Sequence, residues 1–299
     1  MRVFITGASG FIGSAVVDEM VRAGHTVTGL ARSEEGAAII TRLGGQVHRG
    51  DIDNHASVLE AVAASDGVIH CAFNHDFSKY KENSEADRRL IEAMGQVLAG
   101  TDRPLVVTSG TGASAQRGQI RVEDDPFRAP SAVMPRMASD EAADAVAAKG
   151  VKASIVRLPP AVHNTERLGF VSVLIEHARQ TGVSAYVGDG QNRWPAVHRL
   201  DAAKVFALAF EKAAKGVSYQ AVGDEGIPVR QVAELVGQGL GLPVKSMTQE
   251  EANAHFGWFG FFAGADLPAS SKLTQAWLGW KPVHPGLIED LQHAAQFKK

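Results

Sequence analysis

"TGASGFIG", residues 6–13, is the stretch on which the fold turns. It follows the apolar run "RVFIT" at 2–6 and opens a segment of helical spacing at 11–23, so Gly7, Gly10 and Gly13 stand at a strand-to-helix turn. Glycine there lets the backbone turn tightly and approach a ligand, while the free N–H groups of the helix start face a pyrophosphate. The three glycines alone are a weak signal. The strand before and the helix after supply the context a dinucleotide site requires.

Outward from that turn, short apolar runs alternate with helical stretches for about 160 residues. The runs are "RVFIT", "HTVTGLA", "QVHRGD", "GVIHCAF", "PLVVTSG" and "KASIVRLP"; the helical segments are 11–23, 33–43, 55–65, 76–100 and 136–149. Runs that are apolar on both faces predict strands buried on both sides. Strand–helix alternation predicts an α/β fold with a doubly wound parallel sheet. Beyond residue 160 the rhythm breaks: helical spacing at 168–181, the turn-rich "VSAYVGDG", a helix opening near Asp201, the strand "VSYQAVG", then mostly helical segments punctuated by Pro and Gly. The expected organisation is a nucleotide-binding domain over 1–160 plus about 195–222, and a smaller, mostly helical substrate lobe over about 161–194 and 223–299.

Composition narrows the function. With 45% hydrophobic and 21% charged residues the chain is an ordinary globular one, and a net charge of −3 gives no reason to expect nucleic acid as a partner. The most apolar segment, "FGWFGFFAGA" at 256–265, has half the length of a membrane span and reads instead as a buried segment or a pocket wall. No leader is expected before "RVFIT", and the single cysteine, Cys71, fits a reducing compartment, so the expected location is the cytoplasm.

The turn with its Thr6 lead-in resembles the short-chain dehydrogenase/reductase superfamily, specifically its extended branch of NAD(P)-dependent epimerases and dehydratases, including atypical members. "GDIDN" (50–54), "VIHCAF" (68–73), "VVTSGT" (106–111), "VRLPPAVH" (156–163), "VGDGQNRWPAVHRLDAA" (187–203) and "SSKLTQAWLGWKP" (270–282) are similar to further family patterns in the same order. The resemblance implies a cofactor held by Thr6, Gly7, Gly10, Phe11, Ile12 and Gly13, with Asp51 and Ile52 flanking the adenine. It also places Cys71, Ala72 and Phe73 beneath the cofactor and Pro159 beside the nicotinamide. It further implies pairing through the helices at 76–100 and 136–149, hence a possible homodimer.

Strand two ends in "GLARSEE", where Ala31 takes the position of the acidic residue that would hold the ribose of NAD, and Arg32 and Ser33 follow. Arginine meets a 2′-phosphate through charge-assisted hydrogen bonds, so NADP is the expected cofactor, with NAD the alternative.

"PRMASDEAADAV", 135–146, is an Ala-rich helix start for which Ser139 or Asp140 is the expected cap. The resemblance calls here for a Tyr and a Lys four residues apart. Aligned on Ser139, the positions hold Arg136 and Asp140 instead, and the three tyrosines, Tyr80, Tyr186 and Tyr219, are followed four residues on by Ser84, Gly190 and Gly223. Guanidinium does not release a proton at working pH; it polarises a carbonyl or clamps an anion. At i,i+4 spacing Arg136 and Asp140 are expected to pair. Catalytic candidates are therefore Ser109, Thr111 and Arg136. In the second half, Arg193 is a candidate for a substrate phosphate or carboxylate, Trp194 for ring stacking and His198 for acid–base work. No His/Cys/Asp grouping shows metal-ligand spacing, so no metal is expected. Two functions stay open: an oxidoreductase or epimerase-like enzyme acting on a small carbonyl or sugar-type substrate, and a non-catalytic NADP(H)-binding sensor or regulatory protein.

Overall fold

The computed structural model describes residues 1–112, 118–125 and 129–298. The first half supplies β1 (Arg2–Thr6), α1 (Phe11–Arg22), β2 (Thr26–Ala31), α2 (Glu34–Arg42), β3 (Gln46–Arg49), α3 (His55–Ala63), β4 (Gly67–His70), α4 (Tyr80–Leu98), β5 (Pro104–Gly110), α5 (Ala138–Ala148) and β6 (Lys152–Leu158). After it come β7 (Ala161–His163), α6 (Phe170–Thr181), β8 (Ser184–Val187), β9 (Arg193–His198), α7 (Arg199–Lys212), β10 (Ser218–Gln220), β11 (Asp224–Pro228), α8 (Val229–Leu240) and β12 (Val244–Met247). The chain ends with α9 (Gln249–Phe256), α10 (Gly260–Gly264), α11 (Lys272–Leu278) and α12 (Leu287–Gln292).

The main sheet has seven parallel strands in the order β10-β6-β5-β4-β1-β2-β3. Its two-residue period builds two cores. Val3 and Ile5 of β1 join Val16 and Met20 of α1 and Phe206 and Phe210 of α7 on one face. Phe4 joins Leu90, Ile91 and Met94 of α4 and Val146 of α5 on the other. Helices on both faces make the doubly wound α/β architecture predicted from the apolar runs. The strand order reverses at β1, with β2 on one side and β4 on the other, and the crevice at the carboxyl ends of such strands is where open α/β sheets take ligands. The glycine turn leaves β1 at that point and Cys71–Phe73 leave β4 beside it.

A separate hydrophobic core forms the lobe from Leu174 and Ile175 of α6, Trp194, Val232 and Val236 of α8, and Phe256 and Phe259. The lobe holds more strand than its turn-rich sequence suggested. The sheet β11-β9-β7 pairs β9 antiparallel to β11 and parallel to β7, and β8 pairs with β12. β9 is buried along Trp194–Val197, so it shows no alternation, and it runs straight into α7. That helix starts at Arg199, two residues before Asp201, where the His198 ring accepts from the Leu200 N–H at 3.3 Å. The cap expected for α5 also differs: the helix begins at Ala138 without a side-chain cap, and Ser139 and Asp140 turn into buried polar networks.

Candidate functional site

At Gly7 and Gly13 the turn after β1 has room for main chain only. Gly7 takes φ +65°, and a Cβ on it would lie 2.7 Å from the Ala72 nitrogen. A Cβ on Gly13 would lie 2.0 Å from the Gly7 carbonyl oxygen, so the third glycine lets α1 sit against the turn. Gly10 opens α1 with no side-chain cap and no acidic residue in the first turn. Phe11 and Ile12, half-buried, follow it. This is a cradle fitted to a pyrophosphate, with free N–H donors and the positive helix end pointing out of it. Two cations frame it that the sequence did not single out. The guanidinium carbons of Arg199 and Arg167 lie 4.8 and 5.5 Å from the Phe11 ring centroid, and Arg199 donates to the Ser14 hydroxyl at 3.1 Å.

At the far end of the crevice Arg32 is 81% exposed and lies 3.7 Å from the Asp51 carboxylate. Ser33 caps α2 by accepting from the Gly36 N–H at 3.1 Å. Asp51 accepts from the Asp53 N–H at 3.1 Å, and Ile52 packs against the core under α3 and α4.

Thr6, Ala72, His70, Asp87 and Arg136 form one continuous network. The Ala72 N–H donates to the Thr6 hydroxyl at 3.2 Å, and that hydroxyl meets His70 Nδ1 at 2.7 Å. His70 Nε2 meets Asp87 at 2.9 Å; because an ionised carboxylate only accepts, the proton sits on Nε2 and Nδ1 takes the threonine hydroxyl. Arg136 donates to the other Asp87 oxygen at 3.0 Å and to the Thr108 carbonyl at 2.8 Å, and the Ser139 hydroxyl donates to Asp87 as well. Burial pushes the Asp87 carboxyl up, but the Arg136 charge and the hydrogen bonds from His70 and Ser139 outweigh it and bring it down to about 2. Asp87 carried a legible signal. It falls on the buried stripe Ser84–Asp87–Leu90–Ile91–Met94 of α4, where a carboxylate needs partners.

Asp140 does not pair with Arg136. It takes Arg157 at 2.9 Å and receives the Ser109 hydroxyl. Both side chains of the ion pair are buried, so the expected surface pair is two inward-facing ones. The local reason is that Arg136 lies in the turn before α5, over the Phe73 ring and bonded to the Thr108 carbonyl, while Asp140 bonds Arg157 of β6. The Ser109 hydroxyl is thus held from below. Thr111, also buried, is anchored by its N–H to the Leu158 carbonyl at 3.0 Å, next to the buried Pro159. Burial pushes the Cys71 thiol up to about 12, which favours the protonated thiol over the thiolate.

The lobe candidates fare differently. Trp194 is fully buried with its ring edge-on to Phe170 and Phe259, so it offers no face to a ligand and the stacking role is withdrawn. Arg193 spends its guanidinium on both oxygens of Asp266, at 3.1 and 3.2 Å, and on the Gly118 carbonyl at 3.1 Å. His198 stacks on His284 with centroids 4.7 Å apart and meets His163 edge-on. His198, Asp201 and His284 come close enough to be considered as cation ligands, which linear spacing did not reveal. The Asp201 carboxylate is already used: it accepts from the Val283 and His284 N–H groups at 3.1 and 3.0 Å and meets His284 Nδ1 at 2.9 Å. The grouping ties the C-terminal segment to the start of α7.

A glycine turn at the switch point of a doubly wound sheet defines the class, a nucleotide-binding fold of the short-chain dehydrogenase/reductase type. The family model described as "NAD dependent epimerase/dehydratase family" matches residues 3–222, and the chain belongs to that family. It is 48% identical to the protein C2A9.02 of Schizosaccharomyces pombe, over 99% of this chain and 100% of the relative. It is 29% identical to the 2-alkyl-3-oxoalkanoate reductase of Stenotrophomonas maltophilia, over 81% of this chain and 77% of that one. Among solved structures, MoeE5 in complex with UDP-glucose and NAD superposes with a TM-score of 0.72 at 21% identity, covering 100% of this chain and 98% of the other.

Proposed function

We propose that this chain is an NADP(H)-dependent oxidoreductase of the cytoplasm that interconverts a small carbonyl compound and its alcohol. The glycine cradle carries the reading: at Gly7 and Gly13 a side chain would collide with the main chain, so the turn presents backbone to a ligand. Gly7, Gly10, Phe11, Ile12 and Gly13 would hold the pyrophosphate by main chain, with Arg167 and Arg199 supplying countercharge. Asp51 and Ile52 would flank the adenine, Arg32 and Ser33 the 2′-phosphate, and Cys71, Ala72, Phe73 and Pro159 the nicotinamide. When bound, the nicotinamide supplies the hydride that turns a carbonyl carbon into an alcohol carbon, and a proton must reach the oxygen. The kinship with a ketone reductase favours such a substrate.

Positions 136 and 140, where the resemblance calls for Tyr and Lys, have no part in that proton transfer, since Arg136 and Asp140 are tied to Asp87 and Arg157. Ser109 holds Asp140 in place, while the buried Thr111 hydroxyl is not spent on Asp140, and we assign it the substrate oxygen. The test is single-turnover kinetics with NADPH and a ketone panel. Thr111→Val should lower the rate about 10–1000-fold, or about 1.4–4 kcal/mol of barrier, and Ser109→Ala should lower thermal stability more than rate. The committed state of Arg136 and Asp140 also favours a second reading, an NADP(H) sensor. Tight cofactor binding with no turnover of any ketone or nucleotide sugar would select it.

A further inference from the structure

Beyond Ala72 the wall of the crevice is aromatic. Phe73 lies under the Arg136 guanidinium, 4.2 Å from its carbon, and meets the Tyr80 ring edge-on at 6.4 Å. Tyr80 packs against Phe77 at 5.5 Å. Phe77 belongs to the β4–α4 connection, and it stacks on Trp258 of the lobe with centroids 4.5 Å apart and planes 7° from parallel. Through this stack the sheet domain and the lobe meet ring to ring. Trp258 is 48% exposed although Phe259 beside it is fully buried and Phe262 packs edge-on against it. Phe261 is 64% exposed.

Two physical points follow. Aromatic pairs favour edge-to-face or offset arrangements, and Trp258 meets its lobe neighbours Phe259 and Phe262 at 73° and 71°. Against Phe77 alone it lies flat, the two rings covering each other's faces as a planar guest would cover either. The second point is charge. Arg136, which lies over Phe73, and Arg193 of the lobe are neutralised by Asp87 and Asp266. A sugar diphosphate brought here would lose water from two phosphates and find neither cation free. Arg167, the exposed exception, sits over Phe11 at the glycine turn.

We infer that the substrate is a flat, apolar carbonyl compound whose ring system takes its place against Phe77 and Trp258, the stack parting to admit it. The inference rests on the oxidoreductase reading given above. Calorimetric titration of the whole chain, with and without NADPH, tests it with 2-acetylnaphthalene as the flat ketone and UDP-glucose as the nucleotide sugar. The wild type should bind the ketone and not UDP-glucose. Trp258→Leu and Phe77→Leu should each weaken the ketone at least tenfold while NADPH affinity stays within twofold, which shows the variants folded. UDP-glucose binding in place of the ketone, or ketone affinity unchanged in both variants, overturns the substrate class and leaves the oxidoreductase reading standing. Failure of wild type to bind NADPH overturns that reading instead, whatever the ketone does.

Discussion

Asp140 turns away from Arg136, one helical turn before it, and forms with Arg157 an ion pair 2.9 Å long whose side chains are 1% and 0% exposed. Neither charge has a route to water, so each depends on the other. Removing one partner of a buried pair costs about 3–5 kcal/mol, largely because the remaining charge is stranded. Arg157→Met and Asp140→Ala should each show that loss in urea unfolding, and the double variant should lose clearly less than the sum. Additive losses would mean the two side chains stabilise the fold separately.

The glycine turn yields a test that separates binding from folding. Gly10 has extended φ and ψ at the start of α1, where Asp is a favoured cap. Gly10→Asp should therefore stay folded, cap its own helix and set a carboxylate against the pyrophosphate. NADPH binding should disappear by titration while the thermal transition is kept. A folded variant with wild-type affinity would remove the cradle as the cofactor site.

Arg32 decides between the two nicotinamide cofactors. Among the described residues its partner is Asp51, at 3.7 Å, so the guanidinium can turn to a 2′-phosphate. Arg32→Ala should weaken NADPH by about 1.5–3 kcal/mol and leave NADH nearly unchanged. The difference should shrink with added salt, since the site is exposed. Tighter NADH binding in the wild type, or equal losses for both, contradicts the assignment.

Acid should loosen the junction around His163 and His198. Burial holds both below the ordinary value of 6.5, against the opposing pull of Asp290. The unfolded chain therefore takes up these protons first as pH falls below 6.5, so the histidines contribute stability above that pH and lose it below. Thermal stability should drop between pH 7 and 5. His163→Asn, which keeps a donor for Asp290, should flatten that slope. A wild-type transition that rises on acidification reverses the sign and refutes the account.

The sheet domain was legible because its signals are local. "RVFIT" and "PLVVTSG" are apolar on both faces, and the glycines sit where a β–α turn needs them. What escaped were partners brought from far along the chain. Asp87 lies 49 residues from Arg136, and Asp140 meets Arg157 across a helix and a strand, so i,i+4 spacing pointed each side chain at the wrong neighbour. Arg157, a charge inside the buried run "KASIVRLP", was the one hint that a carboxylate had to be waiting. β9 was hidden because a strand covered on both faces shows no alternation. Trp194 was misjudged with it, because the polar residues 191–193 before it drew attention away from its neighbours in space, Phe170 and Phe259.

The two separate pairs also constrain how this fold can be re-engineered. Installing tyrosine at 136 and lysine at 140 looks like a two-residue graft. It would strand Asp87 without its arginine and bring a second cation against Arg157, in a place with no solvent to share the charge. Each half of the graft demands a compensating change on another element, so a working tyrosine–lysine pair lies at least four coordinated substitutions away. Stepwise selection on activity alone would meet unstable intermediates first. A library that varies 87, 136, 140 and 157 together is the practical way across.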